Sequence, residues 1–185
     1  MKDTITHHSR TYTITIEPDQ DHGAPWEECD GHGPVSDWTT RDKRPGELIL
    51  THDRHSKRYY DLEAATAIAL RDGWNTARPP APAGETKRQQ AARAARADYA
   101  WLRAWCRDEW SYVGVVVAWQ EDPHRSASLW GVESNEPAYI ETVARELAEE
   151  LSHELDREES EILGCVACKG TGHLPAEPER RISRG

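Results

Sequence analysis

Residues 110–132 read WSYVGVVVAWQEDPHRSASLWGV, and this stretch decides the fold. The run Val113–Val117 is almost continuously apolar, which is typical of a central strand that is covered on both faces. Asp122 and Pro123 form a dipeptide that marks a turn. Residues 126–132 then return as a partner strand, so the sequence predicts an antiparallel hairpin here.

A helix on each side of this hairpin is predicted from capping and periodicity. The preceding helix covers residues 87–109, and Thr86 with Gln89 forms a capping box at its start. The following helix begins near Glu136 or Pro137 and frays into the acidic stretch 156–161. Its apolar residues recur every three or four positions and form one stripe: Ile140, Val143, Leu147, Leu151 and Leu155.

The remaining elements precede the first of these helices. Residues 11–16 and 47–51 have strand patterns, residues 58–60 form a short third candidate, and Asp61 caps a helix that ends at Arg71. The order is strand, strand, helix, helix, strand, strand, helix. We predict an α+β fold, with an antiparallel sheet and helices packed mainly on one face.

The domain organisation follows from the positions of Gly and Pro. We predict a single domain over residues 1–156, which includes a long irregular loop (17–46) and a Pro/Ala linker (75–86). Residues 157–185 form a tail that carries a Cys-x-x-Cys motif. The first ten residues are polar and no stretch of 18 apolar residues occurs, so we expect a cytoplasmic protein with no membrane segment.

The negative charge is concentrated in one segment. The 185 residues have a formal net charge of -10. Residues 133–162 contain eleven acidic residues and two arginines, which accounts for -9 of that total. The rest of the chain is therefore close to neutral, which argues against a uniformly basic nucleic-acid-binding protein.

The tail motif predicts a structural zinc site. Two residues separate Cys165 from Cys168, glycines follow this pair, and His173 is close to it in the sequence. The motif resembles half of a zinc knuckle or of a DnaJ-type zinc motif. Cys29 and His32 have the same spacing and could complete a tetrahedral Cys3His site. The alternative is a tail with free thiols and no metal.

Basic residues near aromatic residues predict contact with DNA or RNA. Trp38 precedes Arg41, Lys43 and Arg44, and these side chains could stack on bases and bind phosphates. A row of arginines on the helix 87–109 extends this surface: Arg93, Arg96, Arg103 and Arg107. The alternative is a solvated helix face on which Asp98, Asp108 and Glu109 pair with the arginines.

The last helix carries a row of glutamates that predicts a protein-binding surface: Glu141, Glu146, Glu149, Glu150 and Glu154. Such a carboxylate array can imitate phosphates and occupy a basic groove on a partner. The alternative is the polar face of an amphipathic helix.

Motifs for catalysis are absent. The sequence contains no Gly-x-Ser-x-Gly, phosphate-binding loop or dinucleotide fingerprint. His52 and His55 could place two imidazoles together, which leaves a metal-dependent hydrolase as a weaker alternative. We therefore expect a protein that is not an enzyme.

Three parts of the chain resemble an uncharacterised family of small proteins encoded by bacteriophages and prophages. They read DGHGPVSDWTTRDKRPGE (30–47), RYYD with RDGW (58–61 and 71–74), and LRAWCRDEWSYVGVVV with SLWGVES (102–117 and 128–134). The resemblance implies an accessory role in the cytoplasm of a bacterial host.

The function expected from these patterns is binding. We expect a non-enzymatic phage accessory protein that binds a host complex that handles nucleic acid, for example as an inhibitor of the anti-CRISPR or anti-restriction type. The alternative is a zinc-stabilised regulator that binds DNA or RNA directly.

Overall fold

The computed structural model of the protein describes residues 2–74 and 84–167, with side chains for 3–74 and 84–162. The predicted α+β class with antiparallel pairing is confirmed in this part of the chain. The elements in chain order are β1 (Lys2–His7), β2 (Arg10–Pro18), α1 (Pro25–Glu28), β3 (Glu47–His52), β4 (Lys57–Asp61), α2 (Leu62–Asp72), α3 (Lys87–Trp105), β5 (Tyr112–Trp119), β6 (Ser126–Glu133) and α4 (Pro137–Ala167).

The strands form two sheets where the sequence predicted one. The larger sheet has the order β1-β2-β5-β6, and β3 and β4 pair separately. The predicted hairpin over β5 and β6 is confirmed, and the Trp119 amide donates to the Arg125 carbonyl next to the connecting turn, at 3.0 Å. Strand β1 was not predicted. It joins β2 through a two-residue turn at His8 and Ser9, both at positive φ, a conformation typical of tight hairpins.

Contacts divide the chain into two compact units. The first unit contains residues 1–17, 115–129 and 138–185, as far as they are described. The second unit contains residues 18–114 and 130–137.

In the first unit, α4 packs against the sheet with its predicted stripe. All five stripe residues are buried, as are Ala144, Ala148 and Ser152 of the same helix and Val115 and Val117 of β5. Burial of this apolar surface is the main favourable contribution to the helix, since helices gain most of their stability from packing.

The predicted end of this helix is wrong, because α4 continues to Ala167. We expected the helix to fray into residues 156–161, where like charges on neighbouring turns repel one another. Two arginines compensate for that charge. Arg10 contacts Asp156 at 2.5 Å and Glu159 at 2.9 Å, and Arg125 contacts Glu158 at 2.6 Å. The predicted tail 157–185 therefore begins inside the helix.

In the second unit, the β3–β4 hairpin packs with α2 and α3 around Leu50, Tyr60, Ala65, Ala95 and Leu102. The predicted helix caps are confirmed: Asp61 accepts from the Ala64 amide at 2.9 Å, and Thr86 and Gln89 form a capping box. Helix α3 ends at Trp105 and not at 109 as predicted, because the chain turns at Asp108, where φ is 57°.

The predicted irregular loop 17–46 is more ordered than we expected. Strand β2 extends to Pro18, residues 25–28 form α1, and Val35 and Thr39 form β-bridges with Tyr60 and Lys57. These bridges supply hydrogen-bond partners to backbone N–H and C=O groups that would otherwise lose their hydrogen bonds to water on folding. Residues 75–83 of the predicted linker lie outside the described residues.

Replacing Leu151 by Ala tests the packing of α4. Leu151 is 1% exposed, so Leu151→Ala should lower the free energy of unfolding by about 2–5 kcal/mol. The neighbouring Glu150→Ala is the control and should change it by less than about 0.5 kcal/mol, because Glu150 is exposed. Urea unfolding of the three proteins measures the difference, and equal stability of both variants would contradict the packing described here.

Candidate functional site

The predicted glutamates of α4 are all exposed, and we call this set the acidic face: Glu141, Glu146, Glu149, Glu150 and Glu154. The buried stripe on the other side of the helix directs these side chains outward. Three of them, Glu146, Glu150 and Glu154, are four residues apart and therefore form a row with steps of about 6 Å along the axis.

Carboxylates near the middle of α4 differ in their ion pairing from the carboxylates that follow them along the helix. Within residues 2–74 and 84–167, no hydrogen bond or ion pair joins the acidic face to a cation. Asp156 and Glu158 are paired instead. A hydrogen bond from Arg10 lowers the pKa of Asp156, and a hydrogen bond from Arg125 lowers the pKa of Glu158. The acidic face therefore forms no hydrogen-bonded ion pair among the described residues, although Arg125 interacts electrostatically with Glu154 and the exposed Arg145 lies on the same helix.

The predicted basic loop is largely used for internal structure. Arg41 donates two hydrogen bonds to Glu47, at 2.7 and 2.6 Å, and its guanidinium lies 4.7 Å from the centre of the Tyr59 ring. The amide of Arg44 also donates to Glu47, at 2.8 Å. Lys43 and the side chain of Arg44 are exposed. Arg41 therefore closes the loop onto β3, whereas Lys43 and Arg44 keep surface positions.

The predicted arginines of α3 are not one free surface. Arg93 pairs with Glu85 at 3.0 Å, and Arg107 lies 3.7 Å from Glu109. Arg103 covers the Tyr99 ring at 5.7 Å. Arg96 is exposed. Only part of the predicted basic row is therefore open to a phosphate.

Asp98 does not pair with these arginines, as the solvated-face alternative required. It accepts from His32 Nδ1 at 2.6 Å, from the Tyr60 hydroxyl at 2.7 Å and from the Gly33 amide at 2.8 Å. Burial, with the nearby Asp98 carboxylate, raises the pKa of Tyr60. The sequence analysis missed this network, which ties the loop at 32–33 to α3 and β4.

The predicted zinc ligands are only partly described. Cys29 is exposed, and His32 is bonded to Asp98 and stacked on Trp101, with ring centres 5.1 Å apart. Among the described side chains, no group of three or more His, Cys, Asp or Glu residues is arranged to hold a metal. The Cys165 side chain, Cys168 and His173 lie outside the described part, so zinc remains a prediction.

His52 and His55 are both exposed, at the end of β3 and in the turn that follows it. His52 pairs through its backbone with Lys57. The structure thus places the two imidazoles on a surface hairpin. Neither of them lines the pocket beside Trp105 and Cys106 in the second unit.

A pocket that the sequence analysis did not predict lies in the second unit. We call it the tryptophan pocket. It has a volume of about 290 Å3 and is lined by Ala24, Trp26, Glu27, Trp38, Thr51, Arg58, Trp105 and Cys106. Burial raises the pKa of the Cys106 thiol. Trp38 was already a candidate, but Trp26 and Trp105 reach the pocket through tertiary contacts that no local spacing shows.

In comparisons with known proteins, the chain matches no family model, no curated protein and no solved structure. Within the described residues, none of the helices combines the length and apolar character that crossing a bilayer requires.

The Arg41–Glu47 pair predicts a pH-dependent stability. The hydrogen bond from Arg41 is the main cause that lowers the Glu47 pKa from 4.5 to about 2. The ionised carboxylate therefore stabilises the fold fully above pH 4.5, and this contribution is lost as the pH falls towards 2. We expect Glu47→Gln to unfold at lower urea concentration than the native chain at pH 7, with the gap narrowing between pH 4.5 and 2.

The exposed Glu63→Gln is the control for this prediction and should show no such pH dependence. A constant gap between native chain and Glu47→Gln from pH 7 to pH 2 would show that the charge of Glu47 is not what stabilises the loop.

Proposed function

We propose that the protein is a non-enzymatic accessory protein that binds a basic surface on a partner through the acidic face of α4. The observation that carries the proposal is the uneven pairing of charge. Among the described residues, no cation forms an ion pair with the acidic face, whereas Arg10, Arg41, Arg93 and Arg125 are each paired with a carboxylate elsewhere in the chain.

A rigid row of carboxylates suits recognition of a basic groove. Helix α4 is held by its buried stripe, so Glu146, Glu150 and Glu154 need little further ordering when a partner binds. Their charges also attract a cationic surface over about 8–10 Å at physiological salt, which raises the association rate. The expected partner is therefore a protein surface that normally contacts phosphates.

The biological setting of the proposal rests on the resemblance to phage and prophage proteins. A phage product with a phosphate-like helix would act in the bacterial cytoplasm on a host complex that handles nucleic acid. Inhibition of a defence system, of the anti-CRISPR or anti-restriction type, is the role that fits this chemistry best.

A second candidate is a regulator that binds DNA or RNA directly, stabilised by zinc in its tail. The exposure of Lys43, Arg44 and Arg96 favours it, because these cations remain open to phosphates. It requires binding of nucleic acid without any partner protein, and loss of that binding in the double variant Lys43→Ala with Arg44→Ala.

A charge-matched pair of variants tests the main proposal. The triple variant Glu146→Gln, Glu150→Gln and Glu154→Gln removes three charges from the acidic face. The control Glu17→Gln, Asp42→Asn and Glu121→Gln removes three exposed charges elsewhere. Fluorescence anisotropy with a labelled arginine-rich peptide, at low and high salt, measures the affinity of each protein.

We expect the acidic-face variant to bind the peptide at least about threefold more weakly than the control variant, since exposed ion pairs contribute roughly 0.2–1 kcal/mol each. The native affinity should fall steeply with salt. Equal weakening in both variants would mean that only net charge matters, which would contradict a built binding face. Affinity purification from bacterial lysate with the same two variants then identifies the partner.

A further inference from the structure

The tryptophan pocket contains a guanidinium whose hydrogen-bonding capacity is mostly unused. The Arg58 side chain is 17% exposed, and its one described ion pair is a long contact to Glu27, at 3.5 Å. Arginine carries five N–H donors in a fixed plane. No Arg58 nitrogen is among the described buried atoms that lack a partner, so its unpaired N–H groups are accessible and can donate to a ligand that enters the pocket.

Backbone pairing between the loop and β4 brings Trp38 and Arg58 together. Thr39 and Lys57 exchange two backbone hydrogen bonds, at 3.0 and 2.8 Å, and this antiparallel bridge sets Trp38 opposite Arg58. The guanidinium carbon lies 5.3 Å from the centre of the Trp38 ring and 5.4 Å from that of Trp26. Trp105 meets Trp26 edge to face, at 5.4 Å.

The remaining polar groups of the pocket are mainly donors. The indole N–H groups of Trp26, Trp38 and Trp105 have no hydrogen-bond partner among the described residues. The Cys106 thiol stays neutral because burial raises its pKa, so Glu27 is the only acidic side chain in the lining. The pocket is therefore aromatic, cationic and rich in donors.

We propose that the tryptophan pocket binds one nucleobase together with its phosphate. A base is planar, carries several acceptors and can stack on the exposed indole of Trp38, which is 46% exposed. Its phosphate supplies the anionic acceptors that the guanidinium of Arg58 lacks. The volume of about 290 Å3 lies just below the usual range for ligand pockets, about 300–1,000 Å3, which suits one nucleotide and not a longer stretch.

A nucleobase with its phosphate can come from two sources, a free mononucleotide or a single strand of DNA or RNA. This site lies in the second unit and does not depend on the acidic face, which lies in the first.

Titration of the full-length protein with three probes tests the proposal: thymidine monophosphate, an eight-residue thymidine oligonucleotide and a duplex of the same length. Isothermal calorimetry follows binding to the native chain, Trp38→Ala and Arg58→Gln. Trp130→Ala is the control, because Trp130 is exposed to the same extent, 46%, and does not line the pocket.

We expect Trp38→Ala to weaken binding of the monophosphate or the oligonucleotide at least about fivefold, the lower end of the effect of removing one stacked base. Arg58→Gln should weaken it further, and Trp130→Ala should leave it unchanged. Because Trp38 is exposed, its variant keeps the proposal testable even if Arg58→Gln unfolds, and thermal melting checks both.

Each outcome of the titration has a defined meaning. Tighter binding of the oligonucleotide than of the monophosphate assigns the strand as the source, and equal affinity assigns the free nucleotide. No heat with either probe, equal binding by Trp38→Ala, or a preference for duplex would overturn the proposal. The acidic-face triple variant should bind these probes at least as well as the native chain, which separates this site from the proposed protein-binding function.

Discussion

Burial of the apolar stripe of α4 determines which side chains this helix presents to water. Leu147, Leu151 and Leu155 follow one another at four-residue spacing and are all buried. Side chains at this spacing lie on one face, so the residues on the opposite face have to be exposed. The glutamates of the acidic face lie outside the buried stripe, and their exposure is a consequence of the packing.

The distribution of ion pairs distinguishes the acidic face from the other carboxylates of α4. Arg10 is held near Ser152, Asp156 and Glu159, and it stabilises the helix where acidic residues follow one another most closely. No comparable cation contacts the acidic face within the described residues. A protein that neutralises one group of carboxylates and leaves another open retains a strong local field for a partner.

The sequence predicted the parts of the fold that depend on local spacing. The stripe of α4, the capping box at Thr86 and the β5–β6 hairpin all have periodic or short-range signals, and the structure contains each of them. Strand β1 was missed because Ile5 is its only large apolar residue, so alternation is weak. The bridges at Val35 and Thr39 depend on β4, which no pattern in the loop itself reveals.

The candidate sites divide in the same way. The acidic face follows from helical periodicity and was predicted residue by residue. Arg41 was assigned to nucleic acid because its type and neighbours favour phosphate contact, but its internal acceptor Glu47 becomes evident only once the loop is folded. The tryptophan pocket joins residues 26, 38, 58 and 105, and such distant positions meet only through tertiary structure.

Amide hydrogen exchange over residues 140–155, measured on the full-length chain, is the most direct test of this description of α4. If the stripe is buried as described, the amides of Leu147, Leu151 and Leu155 will exchange only through global unfolding, as slowly as those of Val115 and Val117 in β5. Exchange of these three amides at the rate of an unstructured chain, while β5 stays protected, would contradict a packed helix and with it the fixed orientation of the acidic face.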